Sequence, residues 1–311
     1  MLEYIEMKHI LSARQFSKNE LTILFNKADE MREAILSPVK RQKLAGKYKG
    51  CMIATLFYEP STRTRLSFES AAQRLGLGIL STENAREFSS AIKGETIEDT
   101  TRVINSYADI IVMRHHETGA ADRAAAVSKV PIINAGDGKG EHPTQGLLDL
   151  YTILKEKGRL DNLNVVIGGD LANGRTARSL AQMLSLYESN TICFVSTPEL
   201  KIGDDIKKML KTKQVKFVET DNMNQALKDA DVVYWTRLQK ERLTNQKTVS
   251  NYSISKESLK IIPAKAIIMH PLPRVDEIAP EVDADPRAAY FRQAGNGLYI
   301  RMALIDQLLT K

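Results

Sequence analysis

Residues 57–76, FYEPSTRTRLSFESAAQRLG, carry three hydroxyls and two arginines where an apolar run turns into a helical pattern. A strand ending at Tyr58 and a helix with apolar face Phe68, Ala71, Ala72 and Leu75 would put Ser61, Thr62, Arg63 and Thr64 at the helix N-terminus. The first backbone N–H groups of a helix have no partner within it, and the dipole makes that end electropositive. Cations are disfavoured there by roughly 0.3–1 kcal/mol each, so Arg63 and Arg65 need a negative ligand or a neighbouring acid. A serine cap beside surface arginines is the plain alternative, but the density of donors favours an anion site. Arg65 lies about 200° further round the helix than Arg63, where a salt bridge would support the loop. No GxxxxGK[ST] loop is present, so a nucleoside triphosphate is not implied.

Further cations and amides follow the same logic. Arg114 in DIIVMRHH stands just past a buried strand, where open α/β sheets gather ligands. His142 and Gln145 in HPTQG open a helix, as a donor pair for a developing oxyanion or as an ordinary cap. Arg175 in GGDLANGR, and Arg237 and Gln239 in TRLQKER, add two guanidinium forks and an amide. In MHPLPR the prolines flanking Leu272 lack N–H groups and constrain the chain, which leaves the Leu272 carbonyl able to accept from a ligand amine. The GGDLANGR stretch misses the G-x-G-x-x-G spacing of a dinucleotide turn. Adjacent His115 and His116 would point to opposite faces of a regular strand, so no metal is expected. The sum is an arginine-rich cleft with little acid–base machinery, suited to chemistry by positioning and electrostatics.

These residues need a frame. Ser17 and Glu20 form a capping box before Leu21, Leu24, Phe25 and Ala28, an amphipathic helix. Short β-branched runs at 51–58, 108–113, 130–134, 164–168, 191–195, 215–218, 230–235 and 266–269 alternate with helical or loop segments. Several are continuously apolar, as parallel strands buried on both faces should be, so the expected class is α/β with two doubly wound parallel-sheet domains joined by interdomain helices. The 311 residues allow about two domains, divided near the glycine-rich loop at 136–153. The expected division is 1–141 plus a C-terminal amphipathic helix over 296–311, and 142–295. The polar stretch 237–258 is long for a connection and reads as a functional loop.

Composition narrows the class. No run approaches the ~20 apolar residues of a membrane span, and the first residues mix acids with apolar positions, unlike a secretory signal. Cys51 and Cys193 each lie in an apolar run, which suits reduced thiols in the cytoplasm. A net charge of +6 would also suit nucleic acid, but the basic residues are dispersed and not interleaved with aromatics. Small anionic substrates exploit the same field.

The segments FYEPSTRTRLSFE, VMRH, GDGKGEHPTQGLLDLYTI, TRLQKER, MHPLPRVDEI and QAGNGLYIRMAL, in that order, resemble the catalytic chain of the aspartate carbamoyltransferases over essentially the whole length. The resemblance implies transfer of the carbamoyl group of carbamoyl phosphate to L-aspartate, giving N-carbamoyl-L-aspartate and phosphate, in pyrimidine biosynthesis. It implies no cofactor and no metal. It also implies a carbamoyl phosphate domain and an aspartate domain, a homotrimer with shared sites, and regulatory chains as further partners in some members. Carried over by motif, Ser61, Thr62, Arg63, Thr64 and Arg114 would hold the phosphate. Arg63, Thr64, Arg114 and His142 would face the carbamoyl oxygen; Gln145 and the Leu272 carbonyl, its NH2. Arg175, Arg237 and Gln239 would bind the aspartate carboxylates, where Leu272 also lies. Ser89 and Lys93, in EFSSAIKGET, would reach a neighbouring subunit's site. HPLPR favours aspartate, because ornithine-specific relatives show HCLP and an SMG element. Ala172-Asn173 departs from the lysine and aromatic common in members that bind regulatory chains.

Overall fold

The computed structural model describes residues 8–138, 140–237 and 252–310. Contacts divide the chain into two units, 1–144 with 295–311, and 145–294.

In the first unit, α1 (Lys18–Leu36) starts at Ser17, whose side chain caps Glu20 N–H while Glu20 caps back. The basic stretch after it forms α2 (Pro38–Ala45), an exposed helix with no buried residue. The sheet follows with β1 (Met52–Phe57), α3 (Thr62–Leu75), β2 (Gly78–Glu83), α4 (Ala85–Phe88), α5 (Ile97–Ile104), β3 (Ile110–His115), α6 (Ala120–Val127) and β4 (Ile132–Asp137). All pairings are parallel, in the order β2-β1-β3-β4. Ala54, Leu56, Ile111, Met113, Ala124 and Ile132 pack into one core, each large side chain contributing about 1.5–3 kcal/mol by leaving water. At the end of α3, Gly76 adopts φ 91, and a Cβ there would stand 2.3 Å from the Ala45 carbonyl.

Strand β2 is the one the apolar pattern misses. It is an edge strand, half-exposed along its length.

The second unit holds most of α7 (Pro143–Lys157), then β5 (Asn164–Gly168), α8 (Arg175–Leu184), β6 (Thr191–Val195), α9 (Asp204–Thr212), β7 (Lys216–Thr220), α10 (Met223–Leu227), β8 (Val232–Trp235), α11 (Lys256–Ile261) and β9 (Ile267–Met269). Its five strands are again parallel, ordered β7-β6-β5-β8-β9. Val166, Val195, Val233, Trp235, Ile268 and Tyr290 lie in its core.

The last helix, α12 (Tyr290–Leu309), starts six residues before the apolar pattern announces it. It is buried all round over residues 300–306 rather than on one face. There Asp306 is held by Lys47, by Lys27 at 3.5 Å and by the Tyr48 hydroxyl at 2.9 Å.

Candidate active site

Both sheets are wound in two directions from an internal strand, and each reverses once. In the first unit the chain leaves β1 for β2 on one side and then crosses to β3 on the other, so the reversal lies between β1 and β3. Ligands in open α/β sheets bind at the carboxyl ends of strands at such a point. Ser61, Thr62, Arg63 and Thr64 stand there. Ser61 is the N-cap residue of α3 but makes no side-chain cap bond, so no side-chain cap occupies the helix's first N–H groups.

The two arginines of the opening motif have separate fates. Arg63 is exposed and has no ion-pair partner among the described residues. Arg65 bonds Glu69 at 3.2 Å, Glu83 at 2.8 Å and the Ser81 hydroxyl at 3.3 Å. Glu69 lies one turn further along α3, while Ser81 and Glu83 belong to β2, so helix and edge strand each supply one acid to Arg65 and the strand adds a hydroxyl.

Arg114 is aligned with Phe57 across the β1–β3 pair, and its carbonyl accepts the Tyr58 N–H at 2.9 Å. Its buried guanidinium donates to the Ala135 carbonyl at 3.3 Å and is ion-paired with the Glu59 carboxylate at 3.0 Å. Sequence reasoning did not anticipate Glu59, whose carboxylate lies on that guanidinium. His142 follows β4 and is buried, with Nδ1 3.4 Å from the Thr144 hydroxyl. The carboxyl ends of β1, β3 and β4 thus carry the hydroxyls, both arginines and the imidazole.

In the second unit the reversal lies between β5 and β8. Arg175 opens α8 beyond β5, and Arg237 follows β8. The glycines before Arg175 have steric reasons unrelated to a dinucleotide: a Cβ on Gly168 would lie 2.1 Å from the Trp235 ring, and one on Gly169, at φ 108, 2.3 Å from the Thr236 carbonyl. Buried Asp170 then accepts the Asn173 N–H at 3.0 Å, which shapes the turn into α8. Gln239 lies outside the described residues.

Gln145 and Leu272 share one buried polar chain through Asp149, Gln293 and His270, none of which the motif reading singled out. In it, burial works to raise the Glu277 carboxyl, but the His270 ring and nearby backbone N–H groups outweigh it and hold that carboxyl below the usual range.

Ser89 and Lys93 sit in a short segment after α4. The Ser89 hydroxyl accepts the Ala91 N–H at 3.2 Å, and Lys93 is exposed. Beside them Phe88 and Ile92 are 79% and 69% exposed.

The expectation for His115 and His116 is corrected. Strand β3 ends at His115, its pairing to β4 shifts there, and beyond it side chains no longer alternate. The two rings stack with centroids 4.3 Å apart, and with Glu117 their ligating atoms lie within 4.8 Å of one another. His115 Nδ1 already accepts the Glu117 N–H at 3.0 Å, while Arg123 pairs with the Glu117 carboxylate at 3.2 Å. Burial first, then the neighbouring His116, lowers the His115 pKa to about 4.

Two doubly wound parallel sheets, each with cationic side chains at its reversal, define an open α/β protein. The models of the aspartate/ornithine carbamoyltransferase carbamoyl phosphate-binding domain and aspartate/ornithine-binding domain match residues 8–155 and 161–308, and the chain belongs to that family. It is 53% identical to a chloroplastic aspartate carbamoyltransferase of Arabidopsis thaliana over 99% of this chain and 80% of that protein. It is 49% identical to an aspartate carbamoyltransferase catalytic subunit of Methanocella arvoryzae, over 98% of each. Among solved structures, the catalytic subunit of Methanocaldococcus jannaschii aspartate transcarbamoylase superposes with a TM-score of 0.90 at 45% identity, over 97% of this chain and 98% of that one. A Trypanosoma cruzi aspartate transcarbamoylase in complex with carbamoyl phosphate and aspartate gives 0.90 at 38% identity, over 97% of each.

Proposed function

We propose that the chain transfers the carbamoyl group of carbamoyl phosphate to L-aspartate, yielding N-carbamoyl-L-aspartate and phosphate for pyrimidine biosynthesis. The observation that carries the site is the contrast at α3: among described residues Arg63 is unpaired at an uncapped helix start, while Arg65 beside it is neutralised. A dianionic phosphate fits the first and not the second.

In this reading Ser61, Thr62, Arg63 and Thr64 bind the phosphate oxygens, and Arg114 joins them on exchanging Glu59 for phosphate. The amine of aspartate attacks the carbamoyl carbon, and the carbonyl oxygen becomes an oxyanion facing Arg63, Thr64, Arg114 and a donating His142. Collapse of the tetrahedral intermediate breaks the bond to the phosphate oxygen, and phosphate can accept the amine proton as it leaves. No protein base is then required. Arg175, Arg237 and Gln239 take the two carboxylates of aspartate, for which planar guanidinium forks are suited.

We read the working form as a cytoplasmic homotrimer, with Ser89 and Lys93 serving a neighbouring subunit. The exposed apolar Phe88 and Ile92 beside them support a covered surface there. Two free cysteines are consistent with a reducing compartment. Phosphate release from carbamoyl phosphate, measured with aspartate and with ornithine in turn, tests the reaction. Aspartate is expected to be the better acceptor by orders of magnitude; faster release with ornithine would reverse the assignment.

A further inference from the structure

A carbamoyl group differs from an acetyl group in carrying an NH2 where the other has a methyl, so a site that selects it must present acceptors. The inference below rests on the assignment of Gln145 and Leu272 to that NH2.

The direction of the buried chain joining these two residues follows from a donor that cannot be reversed. The backbone N–H of His270 points at Gln293 Oε1, 2.9 Å away. A backbone N–H only donates, so the Gln293 amide has its oxygen towards His270 and its nitrogen towards Asp149 Oδ1, at 2.6 Å. The Asp149 carboxylate accepts this bond, and its Oδ2 accepts the Tyr234 phenol at 2.7 Å. It also accepts Gln145 Nε2 at 2.7 Å, so Gln145 turns its nitrogen to Asp149 and its oxygen away.

The other end is fixed in the same manner. The Leu272 N–H donates to His270 Nδ1 at 2.8 Å, which places the ring hydrogen of the neutral imidazole on Nε2, directed at Glu277 Oε1 2.8 Å away. Leu272 stands at φ 52, a conformation that costs a non-glycine residue of order 1–3 kcal/mol unless its surroundings impose it. Asp149, Tyr234, His270, Glu277 and Gln293 are each at most 2% exposed, so water does not compete for these bonds.

We propose that Asp149 and Gln293 are positioning residues that make the site selective for a carbamoyl over an acyl phosphate, by holding Gln145 Oε1 and the Leu272 carbonyl as a matched pair of acceptors. Flipping Gln145 would set an NH2 against the substrate's NH2. The carboxylate forbids that flip because it has no hydrogen to offer the Gln145 oxygen.

The test compares carbamoyl phosphate with acetyl phosphate, which has nearly the same shape but no N–H. KM for the first and the inhibition constant of the second are measured in wild type, Asp149→Asn, Gln293→Met and Gln145→Ala. Asp149→Asn and Gln293→Met are expected to raise KM for carbamoyl phosphate about 10- to 100-fold, the scale of one or two lost hydrogen bonds. The acetyl phosphate constant should stay within about 2-fold of wild type on the same grounds, because that ligand makes neither bond. Equal weakening of both ligands, as a merely distorted site would give, overturns the proposal. So does a wild-type ratio in Asp149→Asn and Gln293→Met when circular dichroism shows them folded. Should Asp149→Asn not fold, Gln293→Met carries the decision. Gln145→Ala separates the two levels: if it keeps the wild-type ratio, the assignment of Gln145 to the NH2 is itself wrong; if it alone loses the ratio, the positioning role fails.

Discussion

In the first unit the strand before the reversal runs into α3 through Glu-Pro-Ser-Thr, without glycine, and offers hydroxyls and a helix start. In the second, β5 runs through two glycines pressed against Trp235 and Thr236, then through the Asp170–Asn173 turn, before Arg175. Both helices begin without a side-chain cap. The architecture is therefore shared and the side chains at the strand ends are not: the first end sets the hydroxyls of Ser61, Thr62 and Thr64 around Arg63, and the second presents Arg175 and Arg237. The glycines of the second serve packing, because β5 and β8 approach too closely at their ends for a Cβ. A glycine-rich turn after a strand is thus no sign of phosphate binding when a bulky neighbour already accounts for it.

The sharpest way to break this comparison is inside α3. Arg63→Ala should lower kcat on the order of 10²-fold or more, since in the proposed reaction it removes charge facing the oxyanion. Arg65→Ala should leave kcat within a few-fold and instead lower stability by about 1 kcal/mol, as expected for a partly exposed ion-pair network. Steady-state kinetics and thermal unfolding of both variants decide it; a near-normal kcat for Arg63→Ala would remove the distinction. A smaller effect is expected at the second reversal. Arg175→Lys keeps the charge but loses the fork, so KM for aspartate should rise roughly 10-fold or more while carbamoyl phosphate binding is unchanged. Weakening of both substrates would mean that recognition is not divided between the sheets. The smallest effect concerns pH. Glu277 is held below its ordinary value of 4.5, so it adds stability above that pH, and the contribution is lost as pH falls through the lower folded value. Glu277→Gln should flatten the dependence of unfolding free energy on pH below about 5. An unchanged slope in urea titrations across that range would show that the His270 contact carries no such linkage.

Much of this frame could be read from residue order. Eight of the nine strands among the described residues overlap apolar or β-branched runs of the sequence, and several of those runs are continuous because parallel strands covered on both faces must be. Strand β2 escapes that reading because it is a half-exposed edge strand whose Ser81 and Glu83 are turned to Arg65 rather than to the core. The uncapped start of α3 was legible from its excess of donors, and so was the separate role of Arg65. The stacking of His115 on His116 was not, since alternation is a property of strands and the strand stops between them. The Gln145–Asp149 bond has the i, i+4 spacing of a helix and could have been proposed. Gln293 could not: it stands 144 residues beyond Asp149, and only the tertiary fold brings them together.

Asp306 brings a buried charge to the last helix. Buried in α12, it faces Lys27 from α1, and Lys47 and Tyr48 from the turn after α2. Burial, together with the Asp306 carboxylate, pushes the Tyr48 phenol well above its usual range. The last helix is therefore the counter-ion of the first unit as well as a piece of its packing. Cutting the chain before Asp306 would take this acid from Lys47 and leave Lys27 with Glu30 alone, so the last helix is tied to the fold electrostatically.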